Sequence, residues 1–140
     1  MTRPAIAGTL ESALYARDLD RAEAFYAGTL GLPVVTRQAG RHVFFRVGGS
    51  ILLIFNPEAT AKGPAPDARL PVPGHGATGP GHYCFAVARD DLDRWRAYLE
   101  GEAVAIEADF HWPNGARSIY IRDPAGNSVE FAEPALWAAA

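Results

Sequence analysis

Apolar residues change period several times along the chain, and the changes divide it into short strands and two helices. Alternation marks "LESALYA" (10–16) and "HYCFAVA" (82–88) as strands with one bulky and one small face. Helical spacing follows each of them. In "ARDLDRAEAFY" (16–26), Leu19, Ala22 and Tyr26 recur on one side, Asp18 is placed to cap, and Gly31 ends the element. In "ARDDLDRWRAYL" (88–99), Leu92, Trp95 and Leu99 form the stripe, Asp90 or Asp91 caps, and Gly101 is the expected stop. Three further strands follow each helix: "LPVVTRQ", "RHVFFRVG" and "SILLIFN" in the first half, then "AVAIEADF", "ARSIYIRD" and "NSVEFAE" in the second. Turn residues separate them, notably "DPAGN", in which Pro124 presets the backbone and Gly and Asn accept positive φ.

The two helix segments share A-R-D, L-D-R, an alanine and an aromatic, so the halves read as a duplicated strand, helix, three-strand module. The modules are expected at about 8–56 and 80–133 of a single domain. The Pro- and Gly-rich segment 57–79 between them is expected to be a surface loop that forms neither helix nor central strand.

Composition narrows the function. The 140 residues suit one compact domain, and a net charge of −3 with scattered cations offers no basic surface for nucleic acid. No apolar run approaches the ~20 residues of a membrane span, and the N-terminus lacks an apolar signal segment, so the expected location is cytoplasmic. The lone Cys84 excludes an internal disulfide and fits a reducing compartment.

Three ionisable residues interrupt small strand faces. Glu130 shares its face with Ser128 and Ala132, His82 with Cys84 and Ala86, and Glu11 with Ala13. Glu11 and His82 start equivalent strands. If helices cover the bulky faces, the small faces can curl into a cup where these three side chains converge. Two carboxylates and an imidazole are costly to bury together unless a divalent cation balances them, which would leave coordination positions open for substrate. Singly, each also fits a solvated strand end or a hydrogen-bonded structural histidine. Mn, Fe, Ni, Co, Zn or Mg all suit these donors. Around them, His75 in the Gly/Pro loop, His111 and Glu130 itself are the candidates for proton transfer. Phe45, Phe110, Trp112, Arg117 and Tyr120 are candidates for substrate contact, with Arg117 and Tyr120 on opposite faces by alternation.

The segments "ARDLDRAEAFYAGTLGLPV", "GPGHYCFAV" and "YIRDPAGNSVEF" together resemble the vicinal oxygen chelate superfamily of glyoxalases, bleomycin resistance proteins and dioxygenases. The resemblance covers nearly the whole chain, and the D-P-x-G-N-x-x-E ending is its most specific mark. It implies an α+β fold of two paired βαβββ modules, forming an open eight-stranded cup-shaped mixed sheet with helices outside. It also implies homodimers, a small-molecule substrate held through vicinal oxygens, and one divalent metal ion on Glu11, His82 and Glu130, with lyase- or isomerase-like stabilisation of an enolate or oxyanion. Where dioxygenases carry a first histidine this chain has Glu11, and where glyoxalase I adds a fourth carboxylate it has Leu52 or Leu53. Fosfomycin-type transfer lacks its cluster of cations. The alternative from another class is a metal-free, ligand-sequestering protein of the bleomycin resistance type.

Overall fold

The computed structural model describes residues 1–138, and the chain folds as two compact units, Met1–Ala77 and a second that starts at Thr78. Each unit is a strand, a helical segment and three strands, an α+β arrangement, so the eight expected strands form two four-stranded mixed sheets.

In the first unit β1 (Glu11–Tyr15) pairs parallel with β4 (Ser50–Phe55), which runs antiparallel to β3 (His42–Val47), itself antiparallel to β2 (Val34–Gln38). The β1 to β4 crossing needs a helix, and α1 (Leu19–Glu23) supplies it, with Asp18 accepting from the Arg21 amide at 3.0 Å as N-cap. The helix then widens into a π-helical turn, Ala24–Thr29, and Gly31 leaves it at φ +77°. Tyr26, fully buried, packs between Phe25 at 4.9 Å and Phe45 at 5.6 Å, and with Leu14, Leu52 and Ile54 fills the space between helix and sheet.

The segment expected to be helix-free begins with a helical turn, α2 (Pro57–Thr60). Asn56 caps it by accepting from the Glu58 amide, and Pro57 sits at the first position, where a missing N–H costs nothing. Proline enrichment there marks a helix start as well as a loop. Residues 57–77 fold with the first unit.

The second unit repeats the plan with β5 (His82–Ala86), a 3-10 turn (Arg89–Asp91), α3 (Leu92–Gly101), β6 (Ala108–His111), β7 (Arg117–Arg122) and β8 (Ser128–Ala132), in sheet order β5-β8-β7-β6. Asp91 makes no capping bond and pairs with Arg94 instead. The helix includes Gly101 and ends one step later than expected, with Ala103 taking the left-handed turn at φ +58°. Trp95 stacks on Phe131 at 5.1 Å, over a floor of Ile119, Ile121 and Val129.

An ionic cluster fastens α3 to this sheet. Arg117 bonds Asp109 through two nitrogens at 2.8 and 2.7 Å and reaches Asp93 at 2.6 Å, while Arg96 reaches Asp109 at 2.5 Å. The hydrogen bonds from Arg117 are the main cause, with Arg96 adding to them, that holds the Asp109 carboxyl at about 2. No helix among the described residues is long and apolar enough to cross a membrane.

A depressed carboxyl contributes stability above its unfolded pKa of about 4, and that contribution is lost as pH falls through the folded value of about 2. Asp109→Asn should therefore lower stability at pH 7 by about 2 kcal/mol. It should also flatten the fall in urea midpoint between about pH 4 and pH 2; an unchanged acid profile would show that the cluster is inert.

Candidate functional site

The D-P-A-G-N turn sets the site of the second unit. Asp123, buried, accepts from the amides of Ala125 and Asn127 at 2.9 Å each and from the Asn127 side chain at 2.9 Å, with Gly126 at φ +89° between them. Asn127 Oδ1 in turn accepts from the Gly81 amide at 2.7 Å, which ties the start of β5 to the start of β8. The resulting register places Cys84 opposite Glu130 and His82 opposite Ser128. His82, Cys84, Glu130, Ser118, Tyr120, Phe110 and Trp112 therefore share one face, by alternation along four strands.

On that face His82 Nε2 lies 3.2 Å from Glu130 Oε1, while His82 Nδ1 lies 3.1 Å from the Ser128 carbonyl oxygen. A carbonyl only accepts, so Nδ1 carries the proton. Nε2 then meets the carboxylate either as a second N–H or, in the neutral ring, as a lone pair aimed at negative charge. Only the first, or a cation shared by nitrogen and oxygen, makes that approach favourable. A histidine whose second nitrogen donates to a backbone carbonyl has the orientation found in metal ligands.

Glu130 is buried, and its other oxygen accepts from Ser118 Oγ at 2.5 Å; Ser118 accepts in turn from Trp112 Nε1 at 2.8 Å. Tyr120 stacks over His82 at 6.1 Å and over Phe110 at 5.7 Å, and Phe110 meets Trp112 edge-on at 4.9 Å. Three of the expected substrate residues thus surround the His82–Glu130 pair. Cys84 keeps an exposed edge, yet desolvation first and the Glu130 charge second push its thiol up to about 12. At neutral pH the thiol is therefore protonated. The same two causes raise the Tyr120 hydroxyl.

Other expected residues fall elsewhere. Arg117 occupies the helix-covered face, committed to Asp109 and Asp93, because Ser118 takes the facing position beside Glu130. His111 pairs with Arg117 in the register and shares its face. Phe45 is fully buried against Tyr26 under α1, and its neighbour Phe44 takes the opposite face. Ser118 was legible by the same alternation that selected Tyr120, but a serine carries no apolar or charged signal.

In the first unit the Glu11 face also carries Ala13, Leu53, Phe55, Phe44 and His42. Residues 63–75 close over part of it. His75, a candidate for proton transfer in the sequence, hydrogen-bonds the Tyr15 hydroxyl at 2.7 Å and meets Phe55 edge-on at 4.6 Å, and so anchors the loop. At the neck of the loop Gly63 and Gly74 touch: a Cβ on Gly74 would lie 3.1 Å from the Gly63 backbone and 3.2 Å from the Ala61 carbonyl. A side chain at 74 would need that backbone to give by a few tenths of an ångström. Among the described residues no three His, Cys, Asp or Glu side chains are grouped to hold a metal; Glu11 belongs to the first unit, His82 and Glu130 to the second.

A family model described as the Glyoxalase/Bleomycin resistance protein/Dioxygenase superfamily matches residues 8–131. A crystal structure of lactoylglutathione lyase from Agrobacterium tumefaciens is 44% identical, covering 96% of this chain and 98% of its own, with a TM-score of 0.88. A glyoxalase/bleomycin resistance protein/dioxygenase from Nocardioides (20% identity, 95% and 85% coverage, TM-score 0.69) shares the fold. So does a glyoxalase/dioxygenase from Nostoc punctiforme (23%, 94% and 97%, TM-score 0.64). No curated protein matches at a significant level.

Asn127→Leu should remove the Gly81 tie and the side-chain bond to the buried Asp123 carboxylate, costing about 2 kcal/mol of stability by urea unfolding. Gly74→Ala should speed amide exchange across residues 63–75 while Gly28→Ala, whose Cβ meets nothing within 4 Å, leaves it unchanged; equal protection in both would remove the neck from the account.

Proposed function

Because the chain belongs to the glyoxalase/bleomycin resistance protein/dioxygenase superfamily, we propose that it is a divalent-metal-dependent enzyme of lyase or isomerase type, acting on a small molecule with adjacent oxygen atoms. The observation that carries the reading is the approach of His82 Nε2 to Glu130 Oε1 with Nδ1 already committed to a carbonyl. The donor set fits a borderline or hard cation: one imidazole with a fixed tautomer, one buried carboxylate and, from the first unit, the carboxylate of Glu11. A bound ion would supply Lewis acidity toward the substrate's oxygens.

The chain's own residues provide the rest. Ser118, itself held by Trp112, fixes the free rotation of the Glu130 carboxylate and satisfies its second oxygen. Tyr120, Phe110 and Trp112 form an aromatic wall beside the pair, suited to the body of a small substrate and to keeping water from it. On the β4 face that carries Glu11's neighbours, Ile51, Leu53 and Phe55 offer no further carboxylate, which supports a three-donor site over a four-donor one. The Agrobacterium relative's name favours glyoxalase-type chemistry over ring cleavage. Exposed Ile6, Leu10 and Trp137 offer apolar surface that a second copy of the chain would cover in a homodimer.

Metal content after dialysis against Mn or Zn should reach one ion per chain. It should fall at least tenfold in Glu11→Ala, His82→Ala and Glu130→Ala, with Arg117→Ala retaining it. Equal retention in all four variants, or tight ligand binding by stripped protein without turnover in any metal, would replace the enzyme by a sequestering protein.

A further inference from the structure

The proton on the Ser118 hydroxyl has one place to go. The Trp112 indole N–H can only donate, and it approaches Ser118 Oγ at 2.8 Å, so it takes one of that oxygen's acceptor positions. The hydroxyl proton is then directed at Glu130 Oε2, 2.5 Å away. Both Ser118 and Glu130 are buried. The direction of the relay, from indole to hydroxyl to carboxylate, is therefore set by its first donor. Trp112 is held in turn by the hairpin between β6 and β7. Its amide donates to the Ala116 carbonyl at 2.7 Å, its carbonyl accepts from the Gly115 amide at 2.8 Å, and Asn114 accepts from the Ala116 amide at 3.0 Å.

The two oxygens of Glu130 are thereby made unequal. Oε2 is committed to a fully buried hydroxyl, while Oε1 faces His82 Nε2 at 3.2 Å. Turning the carboxylate until both oxygens met one ion would break the Ser118 bond and leave its proton buried without an acceptor. The Cys84 thiol and the Tyr120 hydroxyl also lie near this carboxylate, and burial first and its charge second raise both. Neither is fully buried, so Ser118 is the contact that water cannot replace. The first sheet offers an internal comparison. Leu53 stands opposite Ala13 and Phe44 as Glu130 stands opposite Cys84 and Tyr120. His42 then takes the place of Ser118, and Gly40, two residues beyond the His42 partner Gln38, takes the place of Trp112. Where the carboxylate is missing, the hydroxyl and the indole are missing too, which ties both to Glu130 rather than to the folding of a βαβββ unit.

We propose that Ser118, oriented by Trp112, is a positioning residue that presents Glu130 to a bound cation through Oε1 alone, and thereby selects small divalent ions over calcium. The selection rests on the metal reading above, and the relay that imposes it lies wholly within the second unit. Mn, Zn and Mg accept single carboxylate oxygens in compact shells, whereas calcium gathers about six to eight oxygens and often takes both from one carboxylate. A carboxylate gripped by one oxygen suits the first group and withholds a donor from the second.

The test measures Mn and Ca affinities by calorimetry in the unaltered protein, Ser118→Ala and Trp112→Phe, each first stripped of metal. The unaltered protein should prefer Mn. Ser118→Ala should lose about tenfold in Mn affinity while Ca affinity holds or rises, so that the ratio narrows. Trp112→Phe, which keeps the hydroxyl and frees its proton, should narrow the ratio by a smaller factor in the same direction. A merely structural loss would weaken both ions alike and leave the ratio where it was. In the stripped proteins the indole N–H of Trp112, one of three in the chain, should exchange slowly with solvent in the unaltered protein and quickly in Ser118→Ala, which checks the relay without any ion. An unchanged ratio in both variants overturns the proposal, and so does fast indole exchange in the unaltered protein. Failure of the unaltered protein to bind either ion overturns the metal reading and the selection with it, and slow indole exchange tells that outcome apart from a relay that does not form.

Discussion

The tie from Asn127 to the Gly81 amide is the constraint from which the second unit's chemistry follows. Parallel pairing of β5 and β8 joins strands separated by more than forty residues, and nothing local in either strand selects its register. A slip of one residue would turn Glu130 toward α3 and bring Val129 or Phe131 to the polar face, reversing every side chain of the strand. Asp123 organises the turn, Asn127 carries its geometry across to β5, and His82 then stands beside Glu130 as a consequence. The motif is conspicuous because three of its five residues have separate structural tasks before any chemistry begins.

Electrostatic roles are divided between the two faces of that sheet. The helix-covered face concentrates strong, fully paired charges: Arg117 and Arg96 around Asp109, and Arg89 on the buried Glu133 at 2.7 Å. The open face carries groups whose partners leave something unsettled, a carboxylate shared by a hydroxyl and an imidazole and a thiol raised by both burial and charge. Paired guanidinium groups lock geometry, since their proton cannot leave. Imidazole and carboxylate can exchange protons or partners, which is the property a reactive surface needs.

Much of this was legible in the sequence because strand alternation is strict. Glu130 with Val129 and Phe131 on either side, and His82 before the small Cys84 and Ala86, placed both residues on the open face without coordinates. The duplicated helix segment predicted two βαβββ units, and both are present. Alternation failed where two neighbours are alike: Phe44 and Phe45 differ only in facing, and burial under Tyr26 decided it. Alternation did set Arg117 on the face opposite Tyr120, but it could not show the acids that engage the guanidinium, Asp93 and Asp109, because they lie on two other elements. The loop of 57–77 was opaque for a different reason. Proline and glycine announce irregular backbone, but the anchoring of His75 on Tyr15 and the contact of Gly63 with Gly74 are long-range and leave no periodic trace.

The glycine crossing has a consequence for how such a protein diversifies. With the stem of the excursion clamped at residues 63 and 74, the ten positions between them can change in sequence, or even in number, without transmitting the alteration to the sheet. The excursion can then be edited by substitution or insertion while the sheet beneath it is inherited intact.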